Sequence, residues 1–263
     1  MTLVMAIVNV TPDSFSDGGR YLDPDVAIAH ARRLRAEGAD LLDIGGESTR
    51  PGAERVSPRV EQQRVLPVVA ALASEGAYVS IDTMNASTAA AAVAVGARLV
   101  NDVSGGLADP EMLDAVAQSG AEMAIGHWRG PSSEMYARAE YVDVAAEVTA
   151  ELDERVAAAE AVGIPSSRIV VDPGIGFGKR GEQNWRTLGA LPALVARGRR
   201  VLVGTSRKRF LADALGDDAD LARRDLATAV TSALAAQAGA WAVRVHDVPT
   251  TRDALAVARA WES

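Results

Sequence analysis

The sequence predicts an α/β protein with a single domain over residues 1–263, folded as a (β/α)8 TIM barrel. Three observations lead to this prediction: strand-like and helix-like segments alternate throughout, about eight strands can be counted, and 263 residues fit the roughly 250 typical of such barrels. No linker composition divides the chain. A doubly wound open sheet is the alternative, but it would usually have fewer strands and a Gly-rich dinucleotide turn after the first one.

One sequence unit recurs: an amphipathic or Ala-rich helix, a glycine that ends it, a short apolar run and a polar residue. Clear copies begin at Gly38, Gly96 and Gly239. Glycine there closes a helix with a left-handed cap, and the apolar run is typical of a strand buried on both faces. The predicted strands are residues 4–10, 41–44, 78–81, 99–101, 122–125, 169–171, 201–204 and 242–245.

Helices are predicted between these strands, often with a proline or a polar residue near their first turn. They include residues 24–37, 58–75, 86–95, 142–162, 184–196, 224–238 and 250–261. Because strand and helix alternate strictly, the sheet is expected to be parallel.

Composition narrows the functional classes. The chain has no cysteine, which excludes disulfides and Cys-based metal sites, and its three histidines, His30, His127 and His246, lie far apart in sequence. A net charge of −8 gives no attraction for nucleic acid or acidic membranes, and no apolar run is long enough to span a bilayer. We therefore expect a cytoplasmic enzyme or binding protein that acts on a small molecule and has no nucleic-acid or membrane partner.

Polar residues follow nearly every predicted strand. In a barrel the carboxyl ends of the strands meet on one face, where active sites lie. One Asp at such a position is more often a helix cap, but several on one rim favour a binding site. The set suits a ligand with an amidine-like heterocycle at one end and a phosphate or carboxylate at the other. Its members are Asn9, Asp43, Asp82, Asn101, His127, Asp172, Lys208, Arg244 and His246.

Three loops carry further signals. Residues 11–20 and 45–55 contain paired glycines and polar side chains, which is typical of lids as well as of ordinary surface loops. Residues 206–209 follow the seventh strand, where barrel enzymes often bind anions. The turn DPGIGFGK at 172–179 fits neither the dinucleotide fingerprint nor the P-loop.

Seven segments together resemble the dihydropteroate synthase family, the folate-pathway enzymes targeted by sulfonamide drugs. The resemblance covers essentially the whole chain. The segments are NVTPDSFSDGG (9–19), DIGGESTRPG (43–52), IDT (81–83), NDVSGG (101–106), DPGIGFGK (172–179), SRK (206–208) and RVHDV (244–248).

The resemblance implies a transferase that joins 6-hydroxymethyl-7,8-dihydropterin diphosphate to para-aminobenzoate and releases pyrophosphate, with Mg²⁺ as cofactor. It assigns the pterin edge to Asp82, Asn101, Asp172 and Lys208, with Arg244 stacked on the ring, and the diphosphate to Asn9, Arg244 and His246. Asn9 and Asp17 would be linked to Mg²⁺. The second lid loop would supply Thr49 and Arg50, and the aminobenzoate pocket Phe15, Pro51 and Lys208. It also allows a homodimer.

Two positions depart from the family pattern. Gly126 stands where the family often has a methionine against the pterin, so the pocket floor is expected to be either looser or filled by Met123 or Trp128. Arg209 stands where a serine usually receives the aminobenzoate carboxylate. A catalytically silent pterin-binding homologue is therefore the alternative. A methyltetrahydrofolate-using corrinoid methyltransferase is a third possibility, but it would not explain residues 9–19.

Overall fold

The computed structural model describes residues 1–11, 24–47, 55–131, 136–216 and 218–262. Eight parallel strands form a closed barrel in chain order, and the last pairs with the first, which confirms the predicted (β/α)8 TIM barrel. The strands are β1 (Leu3–Asn9), β2 (Leu41–Gly45), β3 (Val79–Asp82), β4 (Leu99–Asp102), β5 (Glu122–Gly126), β6 (Ile169–Asp172), β7 (Arg200–Val203) and β8 (Ala242–Val245). Each lies within one residue of its prediction.

Helices surround the barrel. They are α1 (Pro24–Ala36), α2 (Pro58–Ser74), α3 (Ala86–Ala94), α4 (Met112–Ser119), α5 (Val144–Ala161), α6 (Gly181–Gly189), α7 (Leu191–Val195), α8 (Arg209–Leu215), α9 (Leu221–Gln237) and α10 (Val248–Glu262). None of these described helices is both long and apolar enough to cross a lipid bilayer.

The single helix predicted at 184–196 is wrong. It begins three residues earlier and breaks at Ala190, after which α7 starts with Pro192 in its first turn. Proline has no N–H to donate and its ring crowds the preceding turn, so it starts a new helix more readily than it continues an old one. α4 and α8 were not among the predicted helices.

The strand register divides the barrel interior into layers. Met5, Leu41, Leu99, Ala124, Val170, Leu202 and Ala242 form one fully buried apolar cluster. Side chains on a strand alternate between faces, so the residues two positions further along point inward as well. On six strands these are Asp43, Asn101, Gly126, Asp172, Gly204 and Arg244. The interior therefore changes from apolar to charged within two residues, at the carboxyl end of the barrel.

Polar side chains close the opposite end of the barrel. Tyr78 Oη donates to Glu122 Oε1 at 2.7 Å, and Arg200 forms an ion pair with the same carboxylate. The Arg200 guanidinium also lies 4.9 Å from the ring centroid of Trp241. These contacts cover the apolar layer from below, so the mouth at the carboxyl ends is where a ligand can meet the charged residues.

Candidate active site

The mouth of the barrel is organised around Arg244 on β8. Its Nε donates to Asp43 Oδ2 and its Nη2 to Asp82 Oδ2, both at 2.6 Å. Asn101 Nδ2 donates to the same Asp43 oxygen at 3.0 Å. One guanidinium is thus shared by two carboxylates from neighbouring strands, in a charge-assisted geometry typical of strong contacts.

Burial controls the charges in this cluster. Asp43 is fully buried, and its Oδ1 has no hydrogen-bond partner. Burial raises the pKa of Asp82 to about 7, although the nearby Arg244 charge acts in the opposite direction. Burial also disfavours the charge on Arg244, but Asp43 and Asp82 outweigh it and raise the pKa of the guanidinium. Arg244 therefore remains a cation at neutral pH.

A second pair of charges lies across the barrel. Asp172, at the end of β6, accepts a hydrogen bond from Gly174 N at 2.7 Å, and burial raises its pKa. Lys208 Nζ donates to the Ile175 carbonyl and lies 4.5 Å from the ring centroid of Phe177. Burial lowers the pKa of Lys208 to about 8, so a bound ligand can readily change the protonation state of this group. The two side chains offer an acceptor and a donor on one wall of the mouth.

The turn after β7 presents Ser206 beside His246. Ser206 Oγ accepts from His246 N at 3.1 Å and lies 2.8 Å from His246 Nδ1. Arg207 has a φ of 57°, in the left-handed region, and its guanidinium turns away to pair with Asp225. Arg209 is largely exposed. Of the basic residues at 207–209, only Lys208 therefore faces the mouth.

Two further predicted positions concern a metal. Asn9 ends β1, and its Oδ1 would lie 3.7 Å from a Cβ added at Gly45, which places it at the mouth. Asp17 lies outside the described residues, as do Phe15, Thr49, Arg50 and Pro51. Within the described ranges, no group of three or more acidic or histidine side chains could hold a metal ion.

Glycine is needed at position 126 for a steric reason. A Cβ added there would lie 2.5 Å from the Val103 carbonyl oxygen, because the loop after β4 passes directly over it. Met123 does not fill the space, since it is fully buried in the main hydrophobic cluster between barrel and helices. Position 126 therefore contributes no side chain to the pocket floor, and two backbone segments approach each other closely there instead.

The sequence predicted that His127 faces the mouth, and this prediction is wrong. Its side chain is almost fully buried, with Nδ1 2.9 Å from Lys179 Nζ and Nε2 2.9 Å from Glu151 Oε2. Neither Lys179 nor Glu151 was assigned a role from sequence. Asp43 was recognised only as a rim residue, and its contact with Arg244 spans 201 positions of chain. No local pattern could reveal such a pair.

The chain matches the family of pterin-binding enzymes over residues 5–246. It is 54% identical to a dihydropteroate synthase of Mycobacterium leprae over 98% of this chain and 93% of that protein. A dihydropteroate synthase of Synechocystis is 42% identical over 98% and 90%. Among solved structures, the Xanthomonas albilineans dihydropteroate synthase with 4-aminobenzoic acid superimposes with a TM-score of 0.92, at 45% identity, over 100% of this chain and 93% of that one. The same enzyme with 7,8-dihydropteroate gives a TM-score of 0.89 at 42% identity, over 100% and 94%.

Replacing Asp43 with Ala should destabilise the fold. Arg244 and Asn101 would each lose an acceptor in a buried site, and breaking a buried ion pair on one side costs about 3–5 kcal/mol. The free energy of unfolding, measured with urea, should fall by that amount. Glu182→Ala is the control, because it removes one partner of an exposed Arg186–Glu182 pair and should change stability by less than about 1 kcal/mol. Equal effects of the two substitutions would contradict the role of Asp43.

Proposed function

The chain belongs to the dihydropteroate synthase family of pterin-binding enzymes, and on that premise we propose how its residues divide the reaction. It is a transferase of folate biosynthesis, which joins 6-hydroxymethyl-7,8-dihydropterin diphosphate to para-aminobenzoate and releases pyrophosphate. The observation that carries the proposal is the pair of opposed walls at the mouth, with Arg244 between two carboxylates on one side and Asp172 beside Lys208 on the other.

The pterin head is proposed to lie between these walls. Asp172 would accept from the amino-pyrimidine N–H groups with the oxygen that does not bind Gly174, and Lys208 would donate to the ring carbonyl and ring nitrogen. Asp82 and Asn101 would bind the far edge of the ring. Because all four side chains lie in a water-poor site, each hydrogen bond to the pterin counts for more than it would in solvent.

The leaving group is proposed to lie at the outer lip. Cleavage of the carbon–oxygen bond leaves positive charge on the pterin methylene and negative charge on the departing pyrophosphate. Arg244 and His246 would hold that pyrophosphate, with Asn9 beside them, so their interaction should strengthen as the bond breaks. The amine of para-aminobenzoate then attacks the methylene carbon, and no protein nucleophile takes part.

Mg²⁺ is the proposed cofactor, held by Asn9 and Asp17. The amide oxygen of Asn9 at the mouth is a ligand type that Mg²⁺ accepts. Mg²⁺ commonly takes only one or two protein ligands and completes its shell with water and substrate phosphates, so Asn9 and Asp17 would suffice as its protein ligands. When bound, the ion would neutralise charge on the pyrophosphate.

The remaining assignments rest on the family resemblance. Phe15 and Pro51, with Lys208, would line the aminobenzoate pocket, and Thr49 and Arg50 would belong to a loop that closes over it. Closure would exclude water, which otherwise competes with the amine for the cationic carbon. The cytoplasmic location likewise stays a prediction from the sequence.

A homodimer is proposed through α9. Leu226, Val230 and Leu234 are each more than half exposed and lie four residues apart, so they share one face of the helix. Val257 and Trp261 add an exposed pair on the neighbouring α10. An exposed apolar stripe of this kind is typical of a surface that another protein chain covers, and a two-fold contact would pair it with itself.

Pyrophosphate release should depend on both organic substrates. We expect the purified protein to release pyrophosphate from 6-hydroxymethyl-7,8-dihydropterin diphosphate only when para-aminobenzoate and Mg²⁺ are present, measured with a coupled phosphate assay. The His246→Ala variant, purified in the same way, provides the control for a contaminating phosphatase that would release phosphate from the pterin diphosphate. A protein that binds the pterin but never releases pyrophosphate would instead be the catalytically silent homologue.

Asp172 and His246 should affect different quantities. Asp172→Ala leaves buried pterin donors without an acceptor, so the affinity for phosphate-free 6-hydroxymethyl-7,8-dihydropterin, measured by calorimetry, should fall by about 2–4 kcal/mol. His246→Ala should leave that affinity nearly unchanged and lower kcat instead. If each substitution changed both quantities in the same proportion, the division between pterin and leaving group would be wrong.

The α9 stripe should control assembly. Val230→Asp places a charge in the centre of the proposed interface, and sedimentation velocity should show a shift from two chains to one because an unpaired charge is costly to bury. Val142→Asp is the matched control, since Val142 is fully exposed and far from α9 in the chain. A wild-type protein that sediments as a single chain would rule out the dimer.

A further inference from the structure

Lys179 is a buried charged residue with no assigned role in the reaction. It is one of only two lysines in the chain, and the other is Lys208, whereas every other basic residue is an arginine or a histidine. Its side chain is 1% exposed. A charged group is seldom buried this deeply unless specific contacts hold it.

Three acceptors surround the Lys179 ammonium. Nζ donates to the carbonyls of Gly174 and Phe177, at 3.0 and 3.2 Å, and lies 2.9 Å from His127 Nδ1. Burial lowers the pKa of Lys179 to about 7. In its protonated form the group has three hydrogens and accepts none, so His127 then presents a lone pair at Nδ1 and carries its hydrogen at Nε2. That hydrogen then points to Glu151, 2.9 Å away.

The charge state of His127 agrees with this arrangement. Burial, assisted by the Lys179 charge, lowers the pKa of His127 to about 4, so the ring is neutral at physiological pH. Glu151 is held in turn by Arg129, whose Nε lies 3.1 Å from its carboxylate. A continuous chain of contacts therefore runs from α5 to the carbonyls of the loop after β6.

The same loop carries both groups proposed to recognise the pterin. Gly174 N donates to Asp172, the Ile175 carbonyl accepts from Lys208, and the Phe177 ring packs on the Lys208 ammonium. A Cβ at Gly176 would lie 2.8 Å from Lys208 Cδ, so the lysine stem lies directly on the loop backbone. One side of residues 174–177 thus contacts the site, and the other side contacts Lys179.

The loop contains three glycines and an internal hydrogen bond from Phe177 N to the Gly174 carbonyl at 2.9 Å, and Gly176 N donates to Asn184 at 2.6 Å. Gly174, Gly176 and Gly178 all have positive φ, at 63°, 82° and 59°. Glycine reaches this region without strain but loses more conformational freedom on folding than any other residue. A segment with three such glycines needs outside contacts to stay in one conformation, and Lys179 supplies two hydrogen bonds to it.

We propose that Lys179 is a positioning residue. Its ammonium holds the loop 173–178 on the side that faces away from the site, and thereby orients Asp172 and Lys208 toward the pterin. The inference rests on the proposed pterin site and goes beyond it by assigning the precision of that site to a residue that never contacts the substrate. Lys179 acts only through the loop carbonyls and through His127.

The two lysines permit a direct test by NMR. Protein labelled with ¹³C-lysine should give two Cε signals, of which only that of Lys208 is broadened by a paramagnetic agent in solvent. Addition of 6-hydroxymethyl-7,8-dihydropterin should shift both signals, because Lys208 contacts the ligand and Lys179 is joined to it by the loop. A Lys208 signal that moves while the Lys179 signal stays would overturn the inference. If neither moves, the proposed pterin site itself is wrong and the inference falls with it.

Lys179→Met keeps the length of the side chain and removes its donors. We expect the Lys208 signal of this variant to shift before any ligand is added, and the dissociation constant of the phosphate-free pterin to rise about tenfold or more. Arg186→Met is the matched control, a basic residue on the exposed side of α6, and should change neither quantity. A folded Lys179→Met protein with wild-type pterin affinity and an unshifted Lys208 signal would mean that Lys179 is only structural. If it does not fold, the wild-type titration decides alone.

Discussion

The charge of Arg244 is the constraint on which the rest of the site depends. A guanidinium inside a barrel lined by Leu41, Leu99 and Leu202 would be prohibitively costly without opposite charges in direct contact. Asp43 and Asp82 provide them from two adjacent strands, and in the strand register Asp82 lies two residues nearer the carboxyl ends than Asp43. The polar layer at the mouth therefore holds together through one shared cation, and Asn101 is oriented by the same oxygen of Asp43.

Sharing also sets a condition on the substrate. Asp82 Oδ2 accepts from Arg244 in this structure, so a pterin N–H proposed to bind this carboxylate would share it with the guanidinium. A ligand donor that took Oδ2 would replace one contact of the guanidinium. Asp43 keeps its hold on Nε meanwhile, so Arg244 can release one partner without becoming an unpaired buried charge. The released Nη2 would then be available to the pyrophosphate proposed to lie at the lip.

Local sequence was enough to predict the barrel but not every helix around it. Each strand is a short apolar run after a helix-ending glycine, as at Gly38 and Gly96, and such signals need no knowledge of distant partners. α8 was missed because its first turn, Arg209 onward, follows directly on a polar segment that looks like a loop. Proline is common in the first turn of a helix, and Pro192 lies in the first turn of α7. The sequence alone did not show where the preceding helix ends, so it did not show that Pro192 begins a new helix.

The candidate site shows the same limit of prediction from local sequence. Among the described residues, the sequence predicted the mouth correctly except at His127, since strand ends converge in any barrel, but it could not identify which residues hold one another. Arg244 contacts Asp43 from 201 positions away, and Lys179 contacts His127 from 52. Both contacts involve a buried cation whose cost of burial must be offset by partners that only the closed barrel brings near. Residues that lie at the mouth can thus be predicted from strand ends, whereas residues that hold those in place are found by asking what compensates each buried charge.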